Sequence, residues 1–320
     1  MEIGDSRTVD DGRRRVLKTL ANGGMALASG ALHASKPLGE TAASSDTGML
    51  RRPVPSSGDS IAAVGLGTYE SFDVVDAASS ALEAVLARFV ALGGELVDSS
   101  PMYGHSEAVI GELAARLGVR NRLFLATKVW TRGHAEGVRQ METSFSRLRT
   151  MRLELMQVHN LVDWRVHLPT LREWRNQGRI RHVGVTHYHA SAYREVEAVL
   201  RAEKPDFLQI NYSMAEREAE ARLLPLAQDL GIAVIVNRPF AKASLFSQVR
   251  GQPLPAWAAE FDCASWAQFF LKFILAQPAV SCVIPATSKQ PHLEDNLAAG
   301  RGRLPDARQR ARMVETLART

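Results

Sequence analysis

Short apolar runs recur along this chain, each followed by a longer amphipathic stretch, and this alternation restricts the fold more than any other feature. The runs are Val64-Gly-Leu-Gly-Thr68, Glu95-Leu-Val97, Leu123–Thr127, Leu153–Val158, Arg181–Thr186, Phe207–Asn211, Ala233–Asn237 and Ser281–Pro285. Helical spacing fills the intervals, as over Val74–Leu92, Ala190–Ala202 and Glu216–Leu230. A crossover between parallel strands needs a dozen or more residues, and these intervals supply them. The pattern therefore predicts an α/β fold with a parallel sheet, and eight units favour a closed (β/α)8 TIM barrel. An open dinucleotide-binding sheet is the alternative, but no G-x-G-x-x-G follows the first run. Pro53–Ile61 reads as a hairpin turn, an N-terminal β-hairpin cap, and Leu304–Thr320 as a short closing helix.

The 320 residues, 46% of them hydrophobic, suffice for one large core, so a single barrel domain is expected over residues 51–320. The formal charge of +5 drops to +4 without the first 34 residues, which carry five Lys/Arg and four Asp/Glu. With no dense basic run in the body, that surplus leaves little footprint for nucleic acid. Cys263 and Cys282 have no C-x-x-C spacing, which excludes a zinc site or disulfide framework as the expectation; both read as buried thiols, and no metal is expected.

The front of the chain does not read as barrel. Arg13-Arg14-Arg15-Val16-Leu17-Lys18 precedes a mildly apolar run, Thr19–Ala34, in the order of a twin-arginine export signal with a cleavage site at Leu32-His33-Ala34. The run is too short and glycine-rich for a membrane span. The expectation is a signal over residues 1–34, a linker over 35–50, engagement of the twin-arginine translocase and a periplasmic or exported location, with a cytoplasmic protein carrying a basic tail as the alternative.

Asp98, Tyr103, Lys128 and His159 each stand where an apolar run gives way to a loop, the rim on which a barrel assembles its chemistry. An ammonium at Lys128 would lower the pKa of a Tyr103 phenol, and Asp98 would keep that lysine charged despite burial. A neutral His159 could orient a carbonyl while Tyr103 donates a proton. Taken singly, Asp98 and Lys128 could be a structural ion pair and His159 a core residue. As an ordered set with Tyr103 they describe a carbonyl reducer.

From about Arg51 to its end the chain resembles the aldo-keto reductases. The resemblance rests on Gly65-Leu-Gly-Thr68, Val97-Asp98-Ser-Ser-Pro-Met-Tyr103-Gly104-x-x-Glu107, Thr127-Lys128-Val-Trp130, Gln157-Val-His159, Gly184-Val-Thr186-His187-Tyr188 and Ile284-Pro285 through Asn296, in that order. It implies a catalytic tetrad of Asp98, Tyr103, Lys128 and His159, with NADPH as cofactor and NADH as the alternative. Gly67 and Thr68 would border the nicotinamide; Thr186, His187 and Gln209 would hold its carboxamide. Asn237, Arg238, Pro239 and Phe240 would follow the pyrophosphate, and Thr287, Lys289, His292, Asp295 and Asn296 would surround the adenosine end. The chain departs from the family in having His187 in place of Asn, Asn237 in place of a stacking aromatic (with Phe240 as substitute), and His292 and Ala286 in place of cations.

Trp130 and Trp164 are the candidate walls of a substrate pocket. Met141, Met151, Met156 and Trp174 read as packing residues, and His105, His182 and His189 as surface or packing residues. The leading expectation is an NADPH-dependent reductase of a small aldehyde or ketone. A nicotinamide-binding sensor or regulatory barrel with slow turnover is the alternative, and a cofactor-free barrel lyase or isomerase a third.

Overall fold

The chain enters through an antiparallel pair, β1 (Arg51–Pro53) and β2 (Ser60–Ala62), in the computed structural model, which describes residues 48–77 and 81–320. The predicted export signal and nearly all of the predicted linker lie outside the described residues. Eight parallel strands follow: β3 (Leu66–Gly67), β4 (Leu96–Asp98), β5 (Phe124–Val129), β6 (Leu153–Val158), β7 (Ile180–Thr186), β8 (Phe207–Asn211), β9 (Ala233–Asn237) and β10 (Val280–Val283). Each pairs with its sequence neighbour, and isolated parallel bridges Val64–Val283 and Gly67–Ala286 join the first to the last. The expected parallel (β/α)8 architecture is thus present.

Helices occupy the crossovers and the tail: α1 (Leu82–Ala91), α2 (Ser106–Arg116), α3 (His134–Arg147), α4 (Trp164–Asn176), α5 (Tyr193–Glu203), α6 (Leu223–Asp229), α7 (Ser244–Gln248), α8 (Trp266–Leu275), α9 (Gln290–Ala298) and α10 (Ala307–Ala318). None of the described helices is long and apolar enough to cross a membrane.

Strand alternation then decides what faces what. Leu125 and Val129 of β5, Met156 and Val158 of β6, and Val234 and Val236 of β9 belong to the large apolar cluster shared with the helices. The alternate residues Phe124 and Ala126, Leu155, Phe207, Ala233 and Ile235 form a second cluster, which also takes in Val54 and Ile61 from the β1–β2 hairpin. Two residues further along those same faces stand Lys128 on β5, Gln157 on β6 and Gln209 on β8, all buried. One face of the strands is therefore apolar toward one end and polar toward the other. Gly184 on β7 makes that polar layer possible, because a Cβ there would come within 2.9 Å of Gln157 Cγ.

The helix expected from Val74 begins only at Leu82. Val75 is 90% exposed, so its apolar character finds no core. The Asp73 carboxylate is instead drawn to the β4–α2 loop, accepting from the His105 amide at 2.8 Å. The helix expected over Glu216–Leu230 breaks into a 3-10 turn, Glu218–Ala221, and α6, because Glu216 and Glu220 turn their carboxylates onto Asn211 and Tyr212. The stretch from Ala190 opens as a 3-10 turn before α5. Met141, Met156 and Trp174 are buried, but Met151 is 91% exposed, standing in the turn before β6 rather than on its inner or outer face.

Candidate active site

Asp98 ends β4 and Lys128 sits near the end of β5, in strands whose pairing sets Asp98 beside Ala126. Lys128 is fully buried. Its Nζ donates to Asp98 Oδ2 at 2.6 Å and to the Ser99 carbonyl at 2.7 Å, and lies 5.1 Å from the centre of the Tyr103 ring. Burial works against the ammonium, but the charges and hydrogen bonds of Asp98 and Tyr103 outweigh it and hold the Lys128 pKa above the ordinary lysine value.

The other carboxylate oxygen, Asp98 Oδ1, accepts from the side-chain amides of Gln209 at 2.7 Å and Gln157 at 3.2 Å. Gln209, expected to hold a carboxamide, thus directs its amide at Asp98. Thr68, expected beside the nicotinamide, is fully buried and donates to the Asp98 carbonyl at 2.9 Å, tying β3 to β4.

Tyr103 lies in the loop after β4, packed edge-on against Tyr69 at 5.1 Å and His159 at 6.0 Å. Burial raises its pKa, Lys128 pulls it down and Asp98 pushes it up, and the sum is upward. This corrects the expectation that Lys128 lowers it below the ordinary value: desolvation of the phenolate wins, and the phenol keeps its proton, the form a donor needs. Gly104 lets the loop turn with φ 58°, where a Cβ would meet the Asp73 carboxylate at 2.2 Å. Behind it, buried Glu107 accepts from Thr127 Oγ1 at 2.6 Å, clamping α2 to β5.

His159 is buried at the end of β6, its Nδ1 3.1 Å from Ser100 Oγ. Burial, then the Lys128 cation, hold its pKa down at about 2, so the ring is neutral. Trp130, the expected pocket wall, is 41% exposed and lies 6.3 Å from that ring; Gln140 fixes its backbone at both N–H and carbonyl. Trp164 opens α4 with Arg165 stacked 4.2 Å over it and packs against the large core. His105 is exposed and paired to Asp73 at 2.9 Å, whereas His182 is buried between Phe124 and Phe207.

The remaining candidates line the same strand ends. Thr186 accepts from the Asn160 amide at 3.2 Å, and His187 stacks on Tyr188 at 5.7 Å. Asn237 donates to the His187 carbonyl at 3.2 Å; Arg238 reaches the Tyr188 carbonyl at 3.1 Å and Glu216 at 3.2 Å. Pro239 is buried, and Phe240 packs on Phe246 and Phe270 rather than lying free as a stacking platform. Lys289 caps α9, with Thr287 Oγ1 accepting its amide at 3.1 Å; His292 is exposed and Asn296 buried. Asp295 accepts from Ser265 at 2.7 Å and Gln268 at 2.6 Å, a contact inside the protein. Among the described residues no cluster could hold a metal ion, and both cysteines are free and buried.

Four side-chain atoms at these strand ends are buried without a partner: Gln157 Oε1, Asn160 Oδ1, Asn237 Oδ1 and Arg238 Nε. Sequence reasoning had not singled out Gln157, Asn160, Ser99 or Ser100. Asn160, at φ 52° directly after His159, is marked only by the folded backbone: a non-glycine residue in the left-handed region beside a catalytic candidate.

The chain has relatives among known proteins. The chain is 28% identical over 269 residues to the aldo-keto reductase str7 of Strobilurus tenacellus, covering 72% of this chain and 76% of that protein. It is 29% identical over 259 residues to the methylglyoxal reductase YeaE of Escherichia coli, covering 78% and 89%. An aldo/keto reductase from Klebsiella pneumoniae, solved with NADP and acetate, superposes with a TM-score of 0.72 at 23% identity over 84% of this chain and 95% of that one. A model of the Aldo/keto reductase family matches residues 63–315, the span from the strand before Thr68 to the last helix, and the chain belongs to that family of oxidoreductases.

Proposed function

We propose that the protein reduces an aldehyde or ketone to an alcohol, with hydride from NADPH and the proton from Tyr103. The observation that carries this reading is the conjunction of a neutral phenol and a neutral imidazole, in contact at one rim and backed by a buried Lys128–Asp98 pair. Tyr103 would hold its proton at the phenol oxygen until the carbonyl oxygen gains negative charge, and Lys128 would then stabilise the phenolate left behind. Asp98 keeps Lys128 charged, and the Gln157 and Gln209 amides hold the Asp98 carboxylate in place through its other oxygen. His159 can donate from its ring to the substrate oxygen and orient it.

The unpartnered polar atoms fit a nicotinamide dinucleotide: Asn160 Oδ1 and Asn237 Oδ1 are acceptors for an amide N–H, and Arg238 Nε is a donor for an anion. When bound, the reduced nicotinamide supplies the hydride. Thr186, His187 and Asn160 would hold its carboxamide end and Arg238 its phosphates. Thr287, Lys289 and His292 would hold the adenosine end beside the N-terminus of α9, whose free N–H groups and dipole favour anions. Half-exposed Tyr69, Met102, Trp130 and Tyr188 follow β3, β4, β5 and β7, and such an apolar rim supports a substrate with an apolar or aromatic body. Val54 and Ile61 support reading the β1–β2 hairpin as a stopper at the opposite end.

The test is a fluorescence titration of the chain with NADPH and with NADH, followed by absorbance decay on adding an aromatic aldehyde. Binding followed by oxidation supports the reductase; binding without turnover indicates the sensor, and no binding removes both. Export by the twin-arginine translocase, read from Arg13–Ala34, is proposed separately. Cell fractionation with the mass of the mature N-terminus tests it, and an intact cytoplasmic chain would overturn it.

A further inference from the structure

We propose that the Ser100 hydroxyl fixes the tautomer of His159, making Ser100 a positioning residue for the proton-rich face of the site. Ser100 is fully buried, two residues past Asp98. Its carbonyl accepts the Tyr103 amide at 3.0 Å and its Oγ accepts the Met102 amide at 3.4 Å, so the turn that carries Tyr103 is built on this residue. With an oxygen lone pair already taken by an N–H, the hydroxyl has its own proton to give. The acceptor within reach is His159 Nδ1, at 3.1 Å.

The reverse arrangement fails on donor and acceptor counts. Were Nδ1 protonated, two N–H groups would converge on one hydroxyl oxygen, and the serine O–H would be left buried with no acceptor among its contacts. An orphaned buried donor is disfavoured by more than a typical made hydrogen bond gains. The neutral imidazole, required by burial and by the Lys128 cation, therefore carries its proton on Nε2. That nitrogen has no protein partner among the described residues, and its ring is bordered by Tyr103 and Trp130. The Asp98-Ser99-Ser100 segment thus wires the site from one strand end: the Ser99 carbonyl holds Lys128, and the Ser100 hydroxyl holds His159. The catalytic consequence rests on the carbonyl-reduction reading; the tautomer does not.

The experiment is a long-range proton–nitrogen correlation on the full chain labelled with 15N-histidine, the His159 signals being identified by their loss in His159→Gln. The wild type should show a bare Nδ1 and a protonated Nε2 through the neutral range. Ser100→Ala should shift the tautomer ratio about five- to tenfold toward the Nδ1–H form, the bias that one neutral hydrogen bond supplies, and so lower kcat for an aldehyde about twofold, with the NADPH Kd unchanged. Ser99→Ala, which removes the neighbouring hydroxyl, should leave the His159 spectrum as it was. A protonated Nδ1 in the wild type, or an unchanged tautomer and kcat in Ser100→Ala, would overturn the proposal. A wild type with the expected tautomer and no carbonyl turnover would sink the proposed function and leave the Ser100–His159 link standing.

Discussion

Two lysines among the described residues are fully buried, and they illustrate opposite uses of the same side chain. Lys128 faces a carboxylate and a phenol, and its pKa is raised because those partners outweigh burial. Lys272, on α8, faces backbone carbonyls: it donates to Arg301 at 2.6 Å and Arg303 at 2.8 Å, and burial lowers its pKa. A carbonyl dipole compensates a buried charge only in part, whereas an anion reverses the balance. Burial of a lysine alone therefore says nothing of chemistry; the identity of its partner does.

The comparison is broken most decisively at the phenol that only Lys128 faces. Tyr103→Phe should lower kcat for carbonyl reduction roughly a thousandfold while leaving NADPH affinity nearly unchanged, since it removes the proton donor and little else. Turnover retained in a steady-state assay would show that the acid is elsewhere. Lys128→Met should cost about a hundredfold in kcat, because the phenolate loses its cation. Lys272→Met should leave kcat within about twofold yet lower stability by about 2 kcal/mol in urea unfolding, through two carbonyls deprived of a donor. Equal loss of activity in both variants would erase the distinction.

The alkaline range sharpens it. A raised folded pKa gives stability that is present below the unfolded value of 10.5 and lost as pH rises through the folded one; a lowered pKa gives the opposite slope, stability rising toward 10.5. Urea unfolding of the two lysine variants between about pH 9 and 11 should thus diverge from the wild type in opposite directions. The smallest effect lies on the acid side. His159 is neutral when folded, with a pKa of about 2 against an ordinary 6.5, so the unfolded chain binds the extra proton and stability declines as pH falls below 6.5. His159→Gln should flatten that decline, and an unchanged slope would assign it to other groups such as His182 and His187, whose pKa values burial also lowers.

Much of this was legible along the chain. β6, β8 and β9 occupy the residues their apolar runs marked, because a strand covered on both faces reads as a near-continuous apolar run, broken here where the polar layer begins. The start of α1 was not legible: Val74 and Val75 continue a helical spacing, but Asp73 is held by His105, 32 residues away, and pulls the segment into a loop. The same distance in sequence hid the support of Asp98. Gln209 is 111 residues from it, and nothing local distinguishes a glutamine that steadies a carboxylate from one that faces a carboxamide. Phe240 likewise carried the right chemistry for a ring stack and went to the core instead.

The sequence by itself determined the alternation of elements, the two-residue period that sends Phe124, Ala126 and Lys128 to one face of β5, and hence which residue types could meet at the rim. These follow from local geometry, repeated strand by strand. Only the tertiary structure decided the protonation states: that Tyr103 stays above its ordinary pKa despite Lys128, that His159 is neutral, and that Lys128 is hydrogen-bonded to a carboxylate where Lys272 is hydrogen-bonded to backbone carbonyls. Such outcomes depend on desolvation and on the distance between charges, quantities that exist only once the barrel has closed.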